Sequence, residues 1–165
     1  MPTDFTINRF TTEFSPSEDR IRMVVEDSQQ KTIVIWLTRR LLMRLIEAMV
    51  KAIESETQGR PESDTLQSFT QHRAQHAQVE ESPVRAVEGC SEWLINRVDL
   101  NVSHERLTLK LFSDDECATL PMPRVNARQW LNIMYRLFEA AEWPFEQWPS
   151  WLQQSSSVTQ PALVH

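Results

Sequence analysis

The sequence predicts an α+β fold: two tandem βββα units in one pseudo-twofold domain, with antiparallel strands and one long helix per unit. Three observations support this prediction. The tripeptide Ile-Asn-Arg occurs at 7–9 and again at 95–97, an offset of 88 residues. The same offset aligns the two strongest helical segments, 38–54 and 126–142. Segments with alternating apolar residues precede each helix, as expected for strands that bury one face.

The first unit covers residues 1–55, and its first two strands are predicted from this alternation. The third segment, 32–37, is rich in β-branched residues, which favour strands. Thr38 can cap the helix that follows, because its hydroxyl can accept a hydrogen bond from a free N–H group of the first turn. The alternating positions are Phe10, Thr12 and Phe14 in the first strand and Ile21, Met23 and Val25 in the second.

The second unit covers residues 91–152 and repeats this order. Its third segment contains Pro121 and Pro123. Proline cannot donate to a strand ladder, so we expect this segment to lie at a sheet edge or to be only partly strand. Asn126 is the predicted N-cap of the second helix. The alternating positions are Val98, Leu100 and Val102, followed by Leu107, Leu109 and Leu111.

Residues 56–90, between the units, form a predicted polar linker that is partly helical or mobile. A polar helix in this linker would have Ser63 or Asp64 as its N-cap and only Leu66 and Phe69 as good apolar anchors. Residues 153–165 are predicted to be a disordered tail.

Composition and charge restrict the classes of function. The longest apolar run, 33–37, is far shorter than the roughly 20 residues of a membrane-spanning helix. The N-terminus lacks the pattern of a secretory signal, so we expect a cytoplasmic protein without membrane contact. Residues 1–55 hold eight basic and eight acidic residues, and the remaining chain holds nine basic and fifteen acidic ones. An acidic chain is a poor counter-ion for phosphate backbones, which makes nucleic acid the less expected partner.

No catalytic or cofactor motif is visible in the sequence. Two glycines cannot build a glycine-rich phosphate loop, and no GxSxG motif occurs. We therefore predict that the protein is not an enzyme and binds no cofactor. Cys90 and Cys117 have no CxxC spacing and are interpreted as unremarkable thiols.

Two groups of residues could hold a metal ion in principle. His72 and His76 would share one face of a helix, but no third ligand stands at a recognisable spacing, so exposed linker histidines are the favoured interpretation. Residues 114–116 form an acidic cluster that could hold a divalent cation or be a solvated turn. We favour the turn and predict no metal site.

The aromatic C-terminal segment is the best interaction candidate in the chain. Trp143, Trp148 and Trp151 lie within ten residues of one another. Aromatic side chains carry much of the binding energy of protein interfaces. The segment either folds back to cap the core or docks a partner.

Two further sets of residues are candidates for binding. Arg39, Arg40 and Arg44, near Arg20, Arg22 and Lys31, could contact an anion or could be a solvated helix face. In each Ile-Asn-Arg tripeptide the apolar phase switches at the asparagine, which predicts a bulge or bend. The arginine would then pair with an acidic group or a carbonyl, or both copies would meet a symmetric partner. The residues concerned are Asn8, Arg9, Asn96 and Arg97.

Repeated units of a small sheet and a helix resemble, in outline, the Whirly and Pur families, which bind single-stranded nucleic acids. The sheets of those families carry aromatic and basic residues. This resemblance implies single-strand nucleic-acid binding as the alternative function. The leading hypothesis is a non-enzymatic module, accessory or regulatory, that binds a protein partner or associates with itself.

Overall fold

The computed structural model describes residues 4–158, which form two four-stranded sheets and four helices. The strands are β1 (Asp4–Thr6), β2 (Arg9–Ser15), β3 (Arg20–Glu26), β4 (Thr32–Leu37), β5 (Glu92–Leu94), β6 (Arg97–Val102), β7 (Arg106–Ser113) and β8 (Glu116–Pro123). The helices are α1 (Arg39–Glu54), α2 (Ser63–His76), α3 (Arg124–Ala140) and α4 (Ser150–Val158). A short 3-10 turn, Ser55–Thr57, follows α1. The predicted α+β class is confirmed.

Each half of the chain contributes one strand to the sheet of the other half. Sheet I has the order β2-β3-β4-β5, and sheet II has the order β1-β8-β7-β6. The three longer strands of each sheet are consecutive in the chain and antiparallel. The short strands β1 and β5 are parallel to their neighbours β8 and β4. Three residues are too few to show alternation, which explains why the sequence predicts three strands per unit instead of four.

The chain crosses between the sheets at the two Ile-Asn-Arg tripeptides. The N–H of Ile7 donates to the Thr119 carbonyl in sheet II (2.8 Å), whereas the N–H of Asn8 donates to the Glu26 carbonyl in sheet I (2.7 Å). Glu26 is also the residue that Arg9 faces in the register, so two consecutive residues oppose one, as in a β-bulge.

The second crossing has the same pattern. The N–H of Ile95 donates to the Trp36 carbonyl (3.1 Å), and the N–H of Asn96 donates to the Phe112 carbonyl (2.9 Å). Phe112 is the residue that Arg97 faces in the register. The bend predicted at both asparagines is therefore present, and it marks the passage from one sheet to the other.

The prediction for the proline-containing segment is wrong. Strand β8 is continuous over eight residues and lies between β7 and β1. The Thr119 carbonyl points towards β1, and Pro121, two residues further on, faces the same side. Strand β1 pairs only as far as Thr119, so the missing N–H of Pro121 lies where no neighbouring strand requires a donor.

The two long helices begin differently. Thr38 caps α1 as predicted, with its hydroxyl accepting from the Leu41 N–H at 3.3 Å. Asn126 is not the cap of α3, because that helix begins at Arg124, directly after Pro123. Since Pro123 ends strand β8 with a φ of −51°, the chain enters the helix without a loop residue, and Asn126 lies in the first turn.

One continuous core joins both sheets, α1, α3 and the C-terminal segment. It consists of the inner sheet faces and the apolar sides of the helices. Ile21, Ile35, Leu109, Leu120, Leu42, Met49, Leu131 and Met134 are among its fully or almost fully buried members.

Helix α2 lies within the predicted linker and is buried through a polar face. Its buried residues are Gln67, Gln71 and Ala74, whereas the predicted anchor Phe69 is 65% exposed and Leu66 is only partly buried. The N-cap position is Glu62, not Ser63 or Asp64. The anchor prediction is wrong because the partner of this face is polar: Gln71 Nε2 donates to the Arg128 carbonyl of α3.

The C-terminal region also differs from the prediction. Helix α4 continues to Val158, so residues 153–158, predicted to be disordered, are helical. The remaining residues of the predicted tail, 159–165, lie outside the described part of the chain. Within residues 4–158 no helix combines the length and the apolar character that crossing a membrane requires.

Candidate binding surface

The outer face of sheet I is covered by the chain itself. Val24 and Val34 point away from the main core, and both are buried in contact with Val84. The Val84 N–H donates to Thr11 Oγ1 at 2.7 Å. We call residues 82–91 the covering segment, because they lie across this face and lead into β5.

Three more hydrogen bonds hold the covering segment on the sheet. The Val87 N–H donates to Thr32 Oγ1 at 3.1 Å. Arg9 Nη2 donates to the Ser82 carbonyl at 2.6 Å. The Ser91 carbonyl accepts from the Val34 N–H at 2.9 Å. The covering segment is thus fixed mainly by its own backbone groups, with side chains of sheet I as partners.

The corresponding face of sheet II is not covered by any segment among the described residues. Leu107, Leu109 and Leu111 point into the core, so the residues between them point outward. Within residues 4–158 no hydrogen bond or ion pair joins a side chain of this surface to a segment outside sheet II. We call this surface the open face; its members are Arg97, Asp99, Asn101, Arg106, Thr108, Lys110, Phe112, Cys117, Thr119 and Pro121.

An arginine and an aromatic ring form one end of the open face. The guanidinium carbon of Arg97 lies 4.0 Å from the centroid of the Phe112 ring, a cation–π distance. Arg97 also pairs with Asp99 at 3.4 Å, although both side chains are more than half exposed. An exposed ion pair of this kind contributes little stability, so these groups can exchange it for a ligand at small cost.

The two outer faces differ in chemistry at matching positions of the sheets. In sheet I, Val24 stands between Thr11 and Val34; in sheet II, Lys110 stands between Asp99 and Thr119. On sheet I, Val24 and Val34 contact Val84 of the covering segment. On sheet II, Lys110 and Thr119 stand in their place, so this surface carries a charge and a hydroxyl group. The open face offers cations, a carboxylate acceptor and hydroxyl groups to a polar ligand.

The two Ile-Asn-Arg arginines have different surroundings. Arg9 lies near Glu26 (3.7 Å) and Glu81 (3.6 Å) and donates to the Ser82 carbonyl, so the covering segment occupies it. Arg97 meets only groups of its own sheet in the contacts described above. The Asn8 and Asn96 N–H groups are used in the sheet crossings. Of the four predicted residues, Arg97 alone belongs to the open face.

The three C-terminal tryptophans are core side chains. Trp143 and Trp148 are 7% exposed, and Trp151 is 1% exposed. The indole N–H of Trp143 donates to Asp19 at 3.0 Å, which ties this segment to the first half of the chain. This placement corresponds to the alternative in which the segment caps the core.

The basic residues of α1 lie around one depression, but those of sheet I do not join them. Arg39, Arg40 and Arg44 line a shallow depression on the exposed side of the helix together with Glu47. Arg39 Nη2 donates a hydrogen bond to the Pro144 carbonyl at 2.8 Å. Arg22 and Arg20, expected nearby, pair with Glu13 and Glu18 on sheet I instead.

The remaining sequence candidates stay apart from one another. His72 and His76 are in ring contact, with centroids 4.3 Å apart. Asp114 lies in a turn with a positive φ and accepts from the Asn96 side chain at 3.4 Å. Among the described residues no three His, Cys, Asp or Glu side chains are grouped closely enough to hold a metal ion. Cys90 and Cys117 are both free thiols and half-buried.

Most residues of the open face were not singled out in the sequence. Lys110 and Phe112 lie in the run Leu107-Thr-Leu-Lys-Leu-Phe112, where polar or aromatic residues alternate with leucine. The alternation identifies an outward face, but nothing in the run shows whether another segment covers it. Comparison with protein-family models, curated proteins and solved structures found no similar protein. The proposals that follow therefore depend on geometry and chemistry alone.

Proposed function

We propose that the protein is a non-enzymatic, cytoplasmic interaction module that binds an extended polypeptide segment on the open face of sheet II. One observation carries this proposal: the outer face of sheet I is occupied by residues 82–91, which contain no helix or strand, and the matching face of sheet II is open among the described residues. A partner would occupy sheet II in the way that the covering segment occupies sheet I.

The open face suits a polar segment with an acidic side chain. On sheet I, Thr11 accepts a backbone N–H from the covering segment, and Arg9 donates to one of its carbonyls. Asp99 and Arg97 stand at the matching positions of sheet II and offer the same acceptor and donor. Lys110 would attract a carboxylate, whereas Val24 on sheet I attracts an apolar side chain.

A duplicated origin explains why two such faces exist. We infer that the chain is a tandem repeat of one unit with pseudo-twofold symmetry. The support is the equal order of elements in both halves and the two matching sheet crossings at positions 88 residues apart. In a symmetric dimer of such units, both sheets would present the same outer face. In the present chain, the covering segment occupies that face of sheet I.

Single-stranded nucleic acid is the second candidate ligand of the same face. The stacked Arg97 and Phe112, next to Lys110, supply the aromatic and cationic groups that such ligands use. Asp99 on the edge strand β6 and the net charge of −6 oppose a phosphate backbone. We therefore favour the polypeptide.

Peptide selection tests the proposal directly. Short random peptides would be displayed and selected on the full-length protein, and the affinity of the selected peptides would be measured by isothermal calorimetry. We expect Phe112→Ala and Lys110→Glu each to weaken binding about tenfold, because the first removes the aromatic ring of the open face and the second reverses its lysine charge. Phe69→Ala and Arg40→Glu are matched controls on exposed positions of α2 and α1, and they should leave the affinity unchanged.

Three outcomes are informative. Loss of binding only in the open-face variants supports the proposal. Binding that is equally weakened by the controls, or is unchanged in all four variants, contradicts it. If the protein instead binds labelled single-stranded oligonucleotides, with an affinity that falls steeply with salt and depends on Phe112, the second candidate is correct.

A further inference from the structure

A second concave site lies between α3 and the aromatic C-terminal segment that leads into α4. It has a volume of about 220 Å³, smaller than the pockets that hold drug-sized molecules. Its wall consists of five aromatic rings, one carboxylate and one amide. The residues are Tyr135, Phe138, Glu139, Trp143, Phe145, Trp148 and Gln153.

The rings are held rigidly by contacts with one another. Phe138 lies at the centre, with ring centroids 5.2 Å from Trp143, 5.3 Å from Trp148 and 5.8 Å from Phe145. Tyr135 meets Trp148 edge to face at 5.3 Å. Edge-to-face packing fixes the ring orientations without filling the depression. The wall is therefore preorganised, and its ring faces carry the negative potential of their quadrupoles.

The charges around this wall are mostly negative. Glu139 belongs to the wall itself and is exposed. Residues 137–153 contain Glu139, Glu142 and Glu146 and no lysine or arginine. Two arginines lie beside this range: Arg136 follows Tyr135 in α3, and the guanidinium of Arg39 donates to the Pro144 carbonyl. Glu139 also interacts with the Tyr135 hydroxyl, and burial together with this carboxylate raises the pKa of Tyr135.

We propose that this depression binds a methylated ammonium group, such as a quaternary ammonium head or a methylated lysine side chain. Several aromatic rings together with a carboxylate are the chemistry that recognises such cations. Tyr135 and Phe145 are half-buried, whereas Trp143 and Trp148 are 7% exposed. The methyl groups would therefore lie against Tyr135, Phe145 and the exposed edges of the two indoles, and the charge would face Glu139.

The site is independent of the open face. Its residues come from α3, α4 and the segment between these helices, and none of them belongs to sheet II. This inference therefore does not rest on the function proposed above, and either can fail without the other.

Choline and its uncharged analogue 3,3-dimethyl-1-butanol give a matched pair of probes with the same shape. Each would be titrated into the full-length protein, with tryptophan fluorescence and calorimetry as readouts. We expect choline to bind and the neutral analogue to bind at least about fivefold more weakly, since the cation–π attraction is lost. Glu139→Gln should weaken choline binding about threefold or more, and Phe145→Leu should weaken it further.

The control variant is Lys110→Glu, which changes a charge far from these rings in the chain and should leave choline binding unchanged. Glu139 is exposed, so Glu139→Gln tests the site even if Phe145→Leu unfolds the segment. Equal binding of choline and the neutral analogue would overturn the proposal. So would the absence of choline binding at millimolar concentration, or binding that neither site variant weakens.

Discussion

The guanidinium of Arg128 donates to Oε1 of Gln67 at 2.6 Å, although these side chains are only 3% and 1% exposed. Gln67 in turn donates to the Ile53 carbonyl (3.1 Å) and to Thr57 Oγ1 (2.9 Å), so α1, α2 and α3 meet at this point. Glu56 lies 3.8 Å from the guanidinium, and the Trp151 ring centroid is 5.4 Å away. The polar helix of the linker is thus attached to the core by a buried, charged hydrogen-bond network.

Replacing Arg128 is expected to detach this helix. Burial lowers the pKa of Arg128 to about 10, yet the group remains protonated at neutral pH. Arg128→Leu leaves the buried oxygen of Gln67 without its donor and should lower the free energy of unfolding by about 3 kcal/mol. Urea denaturation at pH 7 measures this change. The exposed Arg40→Ala should stay within about 0.5 kcal/mol of the parent, and an equal loss in both variants would contradict the network.

The ends of the two long helices give a second prediction. Thr38→Ala should cost about 1 kcal/mol of stability, because the Leu41 N–H loses its acceptor, and Thr38→Ser should restore most of it. Asn126→Ala should change stability by less than about 0.5 kcal/mol, since Asn126 caps nothing. Thermal unfolding of the three variants decides the matter. A larger loss at Asn126 than at Thr38 would show that α3 begins where the sequence alone suggests.

Tyr135 is the single tyrosine of the chain, so its ionisation can be followed by ultraviolet absorbance without interference. Its titration midpoint should lie above 10, because burial and Glu139 both disfavour the phenolate. Glu139→Gln should lower the midpoint only in part, since burial is the larger cause. The raised pKa contributes stability that is fully present below pH 10 and is lost as the pH rises through the folded-state value. If the midpoint does not respond to Glu139→Gln, the carboxylate of Glu139 does not interact with the Tyr135 hydroxyl, and this part of the site is wrong.

The two sheet crossings should make the halves of the chain unfold together. Ile7 and Ile95 are almost fully buried, and each donates its N–H to the sheet of the other half. Ile7→Ala and Ile95→Ala should each cost about 2–5 kcal/mol. Hydrogen exchange should show the amides of both residues protected to the same extent as those of β3 and β7. Fast exchange at either crossing, or separate unfolding of the two sheets, would contradict the exchange of β1 and β5 between the sheets.

Much of the fold can be predicted from the sequence, because alternation and helical spacing report local burial directly. The long strands and helices follow from such patterns, as Ile21, Met23 and Val25 illustrate. The exchange of β1 and β5 cannot be predicted this way, since three-residue strands show no period and their partners are distant in the chain. The buried side of α2 cannot be predicted for another reason: Gln67 and Gln71 have the composition of a solvated face. Their burial is favourable because Arg128, 57 residues beyond Gln71, and the Ile53 carbonyl of α1 supply hydrogen-bond partners.

The candidate surface could be predicted only in part. Arg97 was singled out through the repeated tripeptide, but Lys110 and Phe112 were not, because a polar outward face is ordinary in a strand. The open face of sheet II differs from the outer face of sheet I because the covering segment, residues 82–91, lies on sheet I alone among the described residues. That difference depends on the path of the linker, which local sequence patterns do not encode.

Site-specific photo-crosslinking would show whether a polypeptide segment lies on the open face of sheet II. A photoreactive p-benzoylphenylalanine would replace Thr108 on the open face, or Phe69 on α2 as the control, and the crosslinked fragments would be sequenced by mass spectrometry. The account predicts that the position of Thr108 crosslinks to one contiguous segment of a partner polypeptide, that a peptide of this segment competes, and that the position of Phe69 does not. Crosslinks of equal yield at both positions, or crosslinks to nucleic acid alone, would contradict it.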